Sequence, residues 1–128
     1  PLPIETVVIE RIDEIRSQDK EPIEIAIELC MYCMKTQVFK DGNKRASVIF
    51  ANHYLIAQGM GFLVIPEKDV PEFKKLLVQY YEGEPLEVIG AFLKERCWKK
   101  FYFGYFEYPI SIFYFFVLIL YPSCFYSR

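Results

Sequence analysis

Nine consecutive residues concentrate the chemistry of this chain: Gln37-Val38-Phe39-Lys40-Asp41-Gly42-Asn43-Lys44-Arg45. Asp41-Gly42-Asn43 is turn punctuation between two apolar stretches. Lys44 and Arg45 then fall in the first turn of the stretch that follows. A helix N-terminus carries about half a positive charge and outward-pointing N–H groups, so two cations there cost about 0.3–1 kcal/mol each. An anion in the same place reverses that sign. Backbone N–H groups around Gly42 and Asn43, the helix dipole, Lys44 and Arg45 would then converge on a phosphate. Gly42 lets the backbone approach closely. Asp41 beside a phosphate calls for a bridging divalent cation, for which Mg²⁺ with one carboxylate and phosphate oxygens is the usual arrangement. Phe39 would point inward and anchor the loop. A plainer reading uses the same residues. Asp41 or Asn43 caps the helix, Gly42 makes the turn, and Lys44 and Arg45 are solvated charges.

Other candidates carry less. Cys30 and Cys33 form a C-x-x-C inside an apolar helical stretch, with no second pair at ligand spacing and His53 as the single histidine. They read as small buried hydrophobes rather than a metal or redox site. Four cysteines in so charged a chain do not suggest a disulfide framework, and a reducing, cytoplasmic setting is expected. Tyr80, Tyr81 and Trp98 stand at helix ends as rim aromatics. Lys94, Arg96, Lys99 and Lys100 make a mildly basic face, read as solvated. With 15 Lys and Arg against 17 Asp and Glu, net charge −2, the chain is no polybasic nucleic-acid binder.

The elements that must position the nine residues are helical. Ile4–Arg16 sets Ile4, Val7, Val8, Ile12 and Ile15 on one face. Glu21–Thr36 is a second helix, apolar nearly all round and therefore central, with Pro22 in its first turn. Asn43–Gln58 is a third, closed by Gly59 and Gly61. Phe62–Ile65 is a short apolar run that can be extended. Asp69–Tyr81 and Pro85–Lys100 are a fourth and a fifth helix, the latter with Leu86, Ile89, Phe92, Leu93 and Cys97 as its apolar face. Five helical patterns with almost no strand signal predict an all-α fold over residues 1–100. The 128-residue length suits one core.

The nine-residue stretch resembles the signature of the Fic/Doc (fido) family, His-x-Phe-x-Asp/Glu-Gly-Asn-Gly/Lys-Arg, at eight of nine positions. A hydrophobic helix before it, Ala46-Ser47-Val48-Ile49-Phe50-Ala51-Asn52 after it, and Gly59-Met60-Gly61-Phe62 extend the likeness over roughly Pro22 to Lys100. The resemblance implies an all-α Fic-like domain with its active-site loop between two central helices. It implies ATP with Mg²⁺ as cofactor and a protein hydroxyl as acceptor. Most Fic proteins transfer AMP; Doc-type members, with Lys in place of Gly, are phosphotransferases that bind the nucleotide reversed. Lys44 sits on the Doc side. By resemblance, Phe39 is the core anchor and Asp41 holds Mg²⁺. Gly42, Asn43, Lys44 and Arg45 form the nucleotide-binding set, with Arg45 pairing a phosphate.

One position departs. Gln37 stands where the family has His, the general base that takes the hydroxyl proton. An amide takes no proton near neutral pH, and losing a general base lowers rate by about 10²–10⁴-fold. His53, ten residues into the helix and about 15 Å away at 1.5 Å per residue, is no substitute. The expectation is therefore a degenerate Fic-type transferase, weak or inactive. The alternative is a non-catalytic nucleotide-binding or protein-interaction module, regulatory or antitoxin-like, on the same fold. No stretch fits the family's inhibitory helix, and the substrate-aligning flap is expected to be absent, or lost from an N-terminally incomplete domain.

Residues 101–128 are a different composition. They hold 13 of the 23 aromatic residues and only two charges, Glu107 and Arg128. Tyr108–Ser127 gives 20 uncharged residues, long enough for a bilayer, but Pro109 and Pro122 leave 12 uninterrupted. Three readings stand for this tail: an out-of-frame end, a membrane-associated segment, and extra core, the first being preferred to membrane contact.

Overall fold

In the computed structural model the chain is described over residues 5–38 and 42–102, with side chains to residue 100. The helices are α1 (Glu5–Arg16), α2 (Pro22–Thr36), α3 (Asn43–Ala57), α4 (Val70–Tyr81) and α5 (Leu86–Phe92). A two-stranded antiparallel sheet joins β1 (Met60–Leu63) to β2 (Trp98–Tyr102). The fold is all-α in class, as the periodicity predicted, with this small sheet at one side.

α2 is the axis. Pro22 opens it at a position where no N–H is needed, and nine of its fifteen residues are buried. Ile23, Ala26, Ile27, Cys30, Met31 and Met34 pack with Ala51 and Leu55 of α3, Phe73 and Leu77 of α4, and Ile89 and Phe92 of α5. On its other side Ile25 and Leu29 meet Ile15 of α1. Glu28, 14% exposed, ties α1 and the following turn to α2. Arg11 lies 3.5 Å away, Lys20 3.3 Å, and the Gln18 amide donates to it at 3.1 Å.

α1 buries less than predicted. Val8 and Ile15 are buried, but Val7 is 56% exposed and Ile9 50%. Packed chiefly on α2, α1 covers only a narrow stripe, and Val7 lies off it.

The fifth helix is also shorter than predicted. It ends as an α-helix at Phe92, passes through a π turn at Leu93–Cys97, and becomes β2. Trp98, predicted at a helix end, is extended: its indole N–H donates to the Met60 carbonyl at 2.7 Å. Leu63 pairs with Trp98, Phe62 with Lys99 and Met60 with Tyr102, with an irregularity where Gly61 (φ 84°) stands opposite two residues of β2. The amphipathic period of 86–97 is real, but the backbone groups of β1 need partners and β2 supplies them. β2 spans both sides of the division expected at residue 100.

Cys30, Cys33 and Cys97 are free and buried, and no cluster that could hold a metal occurs among the described residues. Burial pushes the Cys33 thiol up to about 12 and that of Cys97 to about 11. Burial raises Cys30 too, with Cys33 and Cys97 adding to it. Neutral thiols suit the core and thiolates do not. Their contribution to stability is whole below the ordinary thiol value of 9.0 and is lost as pH rises toward 11–12. Native protein is expected to resist iodoacetamide at these three positions at pH 8 and to react after unfolding in urea. Peptide mass spectrometry reads both states.

Candidate functional site

The site is built where α2 stops and α3 starts. Gln37 caps α2 in the left-handed conformation, φ 53° and ψ 54°. Its N–H donates to the Met34 carbonyl at 3.3 Å, and the Val38 N–H to Cys33 at 3.3 Å. These two bonds satisfy the last carbonyls of α2 and turn the chain out of the helix. Gln37 is exposed at that corner.

The chain re-enters at Gly42, the N-cap of α3, also left-handed at φ 63°. A glycine adopts that conformation without steric cost. Its carbonyl accepts from the Ala46 N–H at 2.9 Å, which closes the first turn. The cap is thus Gly42, not Asp41 or Asn43 as the plainer reading had it, and it has no side chain to offer the helix end. Asn43 is the first residue of α3, and Lys44 and Arg45 follow in its first turn, both exposed. No acidic residue occupies that turn. Two cations on the positive end of a helix dipole are therefore a structural fact as well as a sequence pattern.

Phe39 and Asp41 lie outside the described residues, so the anchoring and metal-holding roles implied for them receive no structural account. His53 is exposed on α3, far along the helix from Gln37.

A cavity of about 140 Å³ adjoins the two cations. Met34 of α2, Lys44, Arg45, Val48 and Ile49 of α3, Ile65 after β1, and Phe73 of α4 line it. The sequence reading found Lys44 and Arg45 and missed the other five. They are ordinary apolar residues on three elements and a loop, and only packing brings them together.

Asn52 was also missed as a separate device. It is 2% exposed, and its side-chain amide donates to the Leu63 carbonyl at 2.8 Å and accepts from the Leu63 N–H at 2.6 Å. The amide imitates a neighbouring strand and fastens β1 to α3. Ile65, two residues beyond, reaches the cavity from that anchor. A signal existed: Asn52 falls on the apolar stripe of α3, three residues before Leu55, and a polar residue there requires partners.

Residues 3–55, which include α1, α2, the loop and most of α3, match the sequence model of the Fic/DOC family. This part of the chain is similar to the Fic/DOC family. The match begins nearer the N-terminus than the resemblance first drawn from Pro22, and it stops at Leu55. The whole nine-residue motif falls inside it. No curated protein and no solved structure matches the chain. No helix among the described residues is long and apolar enough to cross a membrane. The tail readings concern residues 101–128, which lie outside the described side chains.

Proposed function

We propose that the α2–α3 corner of this Fic/DOC-like segment binds the phosphates of a nucleotide, ATP with Mg²⁺, and that it is a transferase site for protein hydroxyls weakened by Gln37. The observation that carries the reading is the glycine-capped N-terminus of α3, with Lys44 and Arg45 in its first turn. Anions bind such helix ends through N–H groups and the dipole, and the two side chains add full charges. Asp41 is the residue that would hold Mg²⁺. One carboxylate with phosphate oxygens completes the usual coordination, so the family's site needs no cluster of protein ligands. Lys44 favours phosphotransfer over AMP transfer, because Lys at this place marks Doc-type members. In either case a hydroxyl oxygen attacks phosphorus, the remainder of the nucleotide leaves, and the hydroxyl proton needs an acceptor that Gln37 does not supply.

Titration calorimetry with Mg²⁺ and ATP tests this. Micromolar to millimolar binding is expected. Arg45→Ala should weaken it by about tenfold or more, since charge-assisted hydrogen bonds contribute about 1.5–3 kcal/mol. No heat with the wild-type chain, or an unchanged affinity in the variant, would remove the basis for a nucleotide site. The non-catalytic module is supported by the same Gln37: it requires binding without transfer.

A further inference from the structure

A second cavity, of about 370 Å³, lies between the first half of α2 and α5. It is apart from the α2–α3 corner: Glu28, its last residue on α2, is nine residues short of Gln37, about 14 Å at 1.5 Å per residue. Among the described residues, Ile27, Leu86, Gly90 and Ala91 make its apolar part. Gly90 lies against Ile27, and Lys94 reaches Glu21 at 4.0 Å, so α5 runs antiparallel to α2 along the cavity. The charged lining is partly spent. Lys20 is held by Glu28 at 3.3 Å, and Lys94 by Glu21. Glu24 on α2 and Glu87 on α5 have no ion-pair partner among the described residues. Each stands three residues from the Ile27–Gly90 contact, in opposite directions, which sets them about 9 Å apart along the groove at 1.5 Å per residue. Hydrocarbon lies between the two carboxylates.

Gly90 points to a ligand independently of the charges. It sits inside a helix, where glycine is less stable than alanine. Its φ is not positive, so the backbone does not require glycine. A Cβ there would meet only Ile27 Cγ2, at 3.7 Å, an ordinary contact. Helix packing does not require glycine either, and what its missing side chain does is leave the cavity open.

We propose that this groove binds an aliphatic diamine, its methylenes on Ile27, Leu86 and Gly90 and its two ammonium groups on Glu24 and Glu87. The site is separate from the nucleotide corner and does not rest on that reading.

The test titrates the isotope-labelled full chain with pentane-1,5-diamine, n-pentylamine and ammonium chloride at neutral pH and low salt, following backbone amide shifts by NMR. Shifts are expected at Glu24, Ile27, Glu87 and Gly90. The diamine should bind at least about tenfold tighter than ammonium, because burying two methylenes supplies one decade. It should exceed pentylamine by about twofold to fivefold, the range of an exposed ion pair. Glu24→Gln and Glu87→Gln, on exposed side chains that leave the fold intact, should each erase that second difference. Gly90→Leu fills the groove and should abolish the diamine shifts, with circular dichroism confirming the helices. Gly90→Ala should raise the melting temperature; a lower one would mean that packing needs the glycine and would overturn the proposal. Equal affinity for all three cations, or shifts spread over every acidic surface, would show a diffuse counterion effect and overturn it. Undiminished diamine binding in folded Gly90→Leu, or no shift with the diamine at all, would do the same. None of these outcomes bears on ATP binding at the other end of α2.

Discussion

Replacing Gln37 with His is expected to raise transfer of label from ATP to protein hydroxyls by about 10²–10⁴-fold, the range a general base supplies. The backbone is ready for this change. Residue 37 is left-handed, and histidine is among the non-glycine residues enriched in that region. The two bonds that turn the chain out of α2 use main-chain atoms of residues 33, 34, 37 and 38, so they survive the substitution. An exposed imidazole titrates near pH 6.5, which puts a proton acceptor at the corner that an amide cannot provide. Activity of the variant should therefore rise with pH through about 6.5 and level off, because the neutral ring is the base. ATP labelled on its α-phosphate reports AMP transfer, and label on the γ-phosphate reports phosphotransfer. Lys44 leads us to expect the second label on protein. Absence of both labels, with ATP still bound, would establish the non-catalytic module.

The largest expected effect on stability comes from Asn52→Ala. The substitution removes the partners of the Leu63 N–H and carbonyl at once. Each orphaned buried group costs about 1–3 kcal/mol, so for the two a loss of about 2–6 kcal/mol is expected in urea unfolding. That is a large share of a domain's usual total of about 5–15 kcal/mol. Asn52→Leu should be nearly as damaging, since restoring volume does not restore the two bonds. Val78→Ala, on the exposed side of α4, should change stability by about 0.5 kcal/mol or less. A loss under about 1 kcal/mol in Asn52→Ala would mean that β2 alone holds β1 in place.

Most of the helical architecture was legible from spacing. Apolar residues recur along α2 on every side, so only a central position buries them all, and Pro22 marks where the helix begins. α3 and α4 matched their predicted spans to within a residue, because glycine and proline punctuate both ends. The place of the nine-residue stretch between α2 and α3 was legible too, since it is set by turn residues at fixed separations along one chain. α1 showed the limit of that logic. Its period was right, but how wide a stripe it buries depends on how many neighbours it meets, and Val7 faces solvent.

What the sequence determined by itself was the helical pattern and the place of the loop: Gln37 at the end of α2, Gly42 at the turn, and Lys44 and Arg45 opening α3. Local forces set these, namely side-chain periodicity, left-handed backbone at a cap, and charge placed against a dipole. The tertiary structure decided the rest. It turned 98–100 from helix into strand, because β1 had backbone groups to pair. It made Asn52 a clamp and gathered Met34, Val48, Ile49, Ile65 and Phe73 around one cavity. Those outcomes depend on which surfaces meet, from 11 residues apart in the chain at Asn52 and Leu63 to 38 at Met60 and Trp98, and no spacing rule along the sequence contains that information.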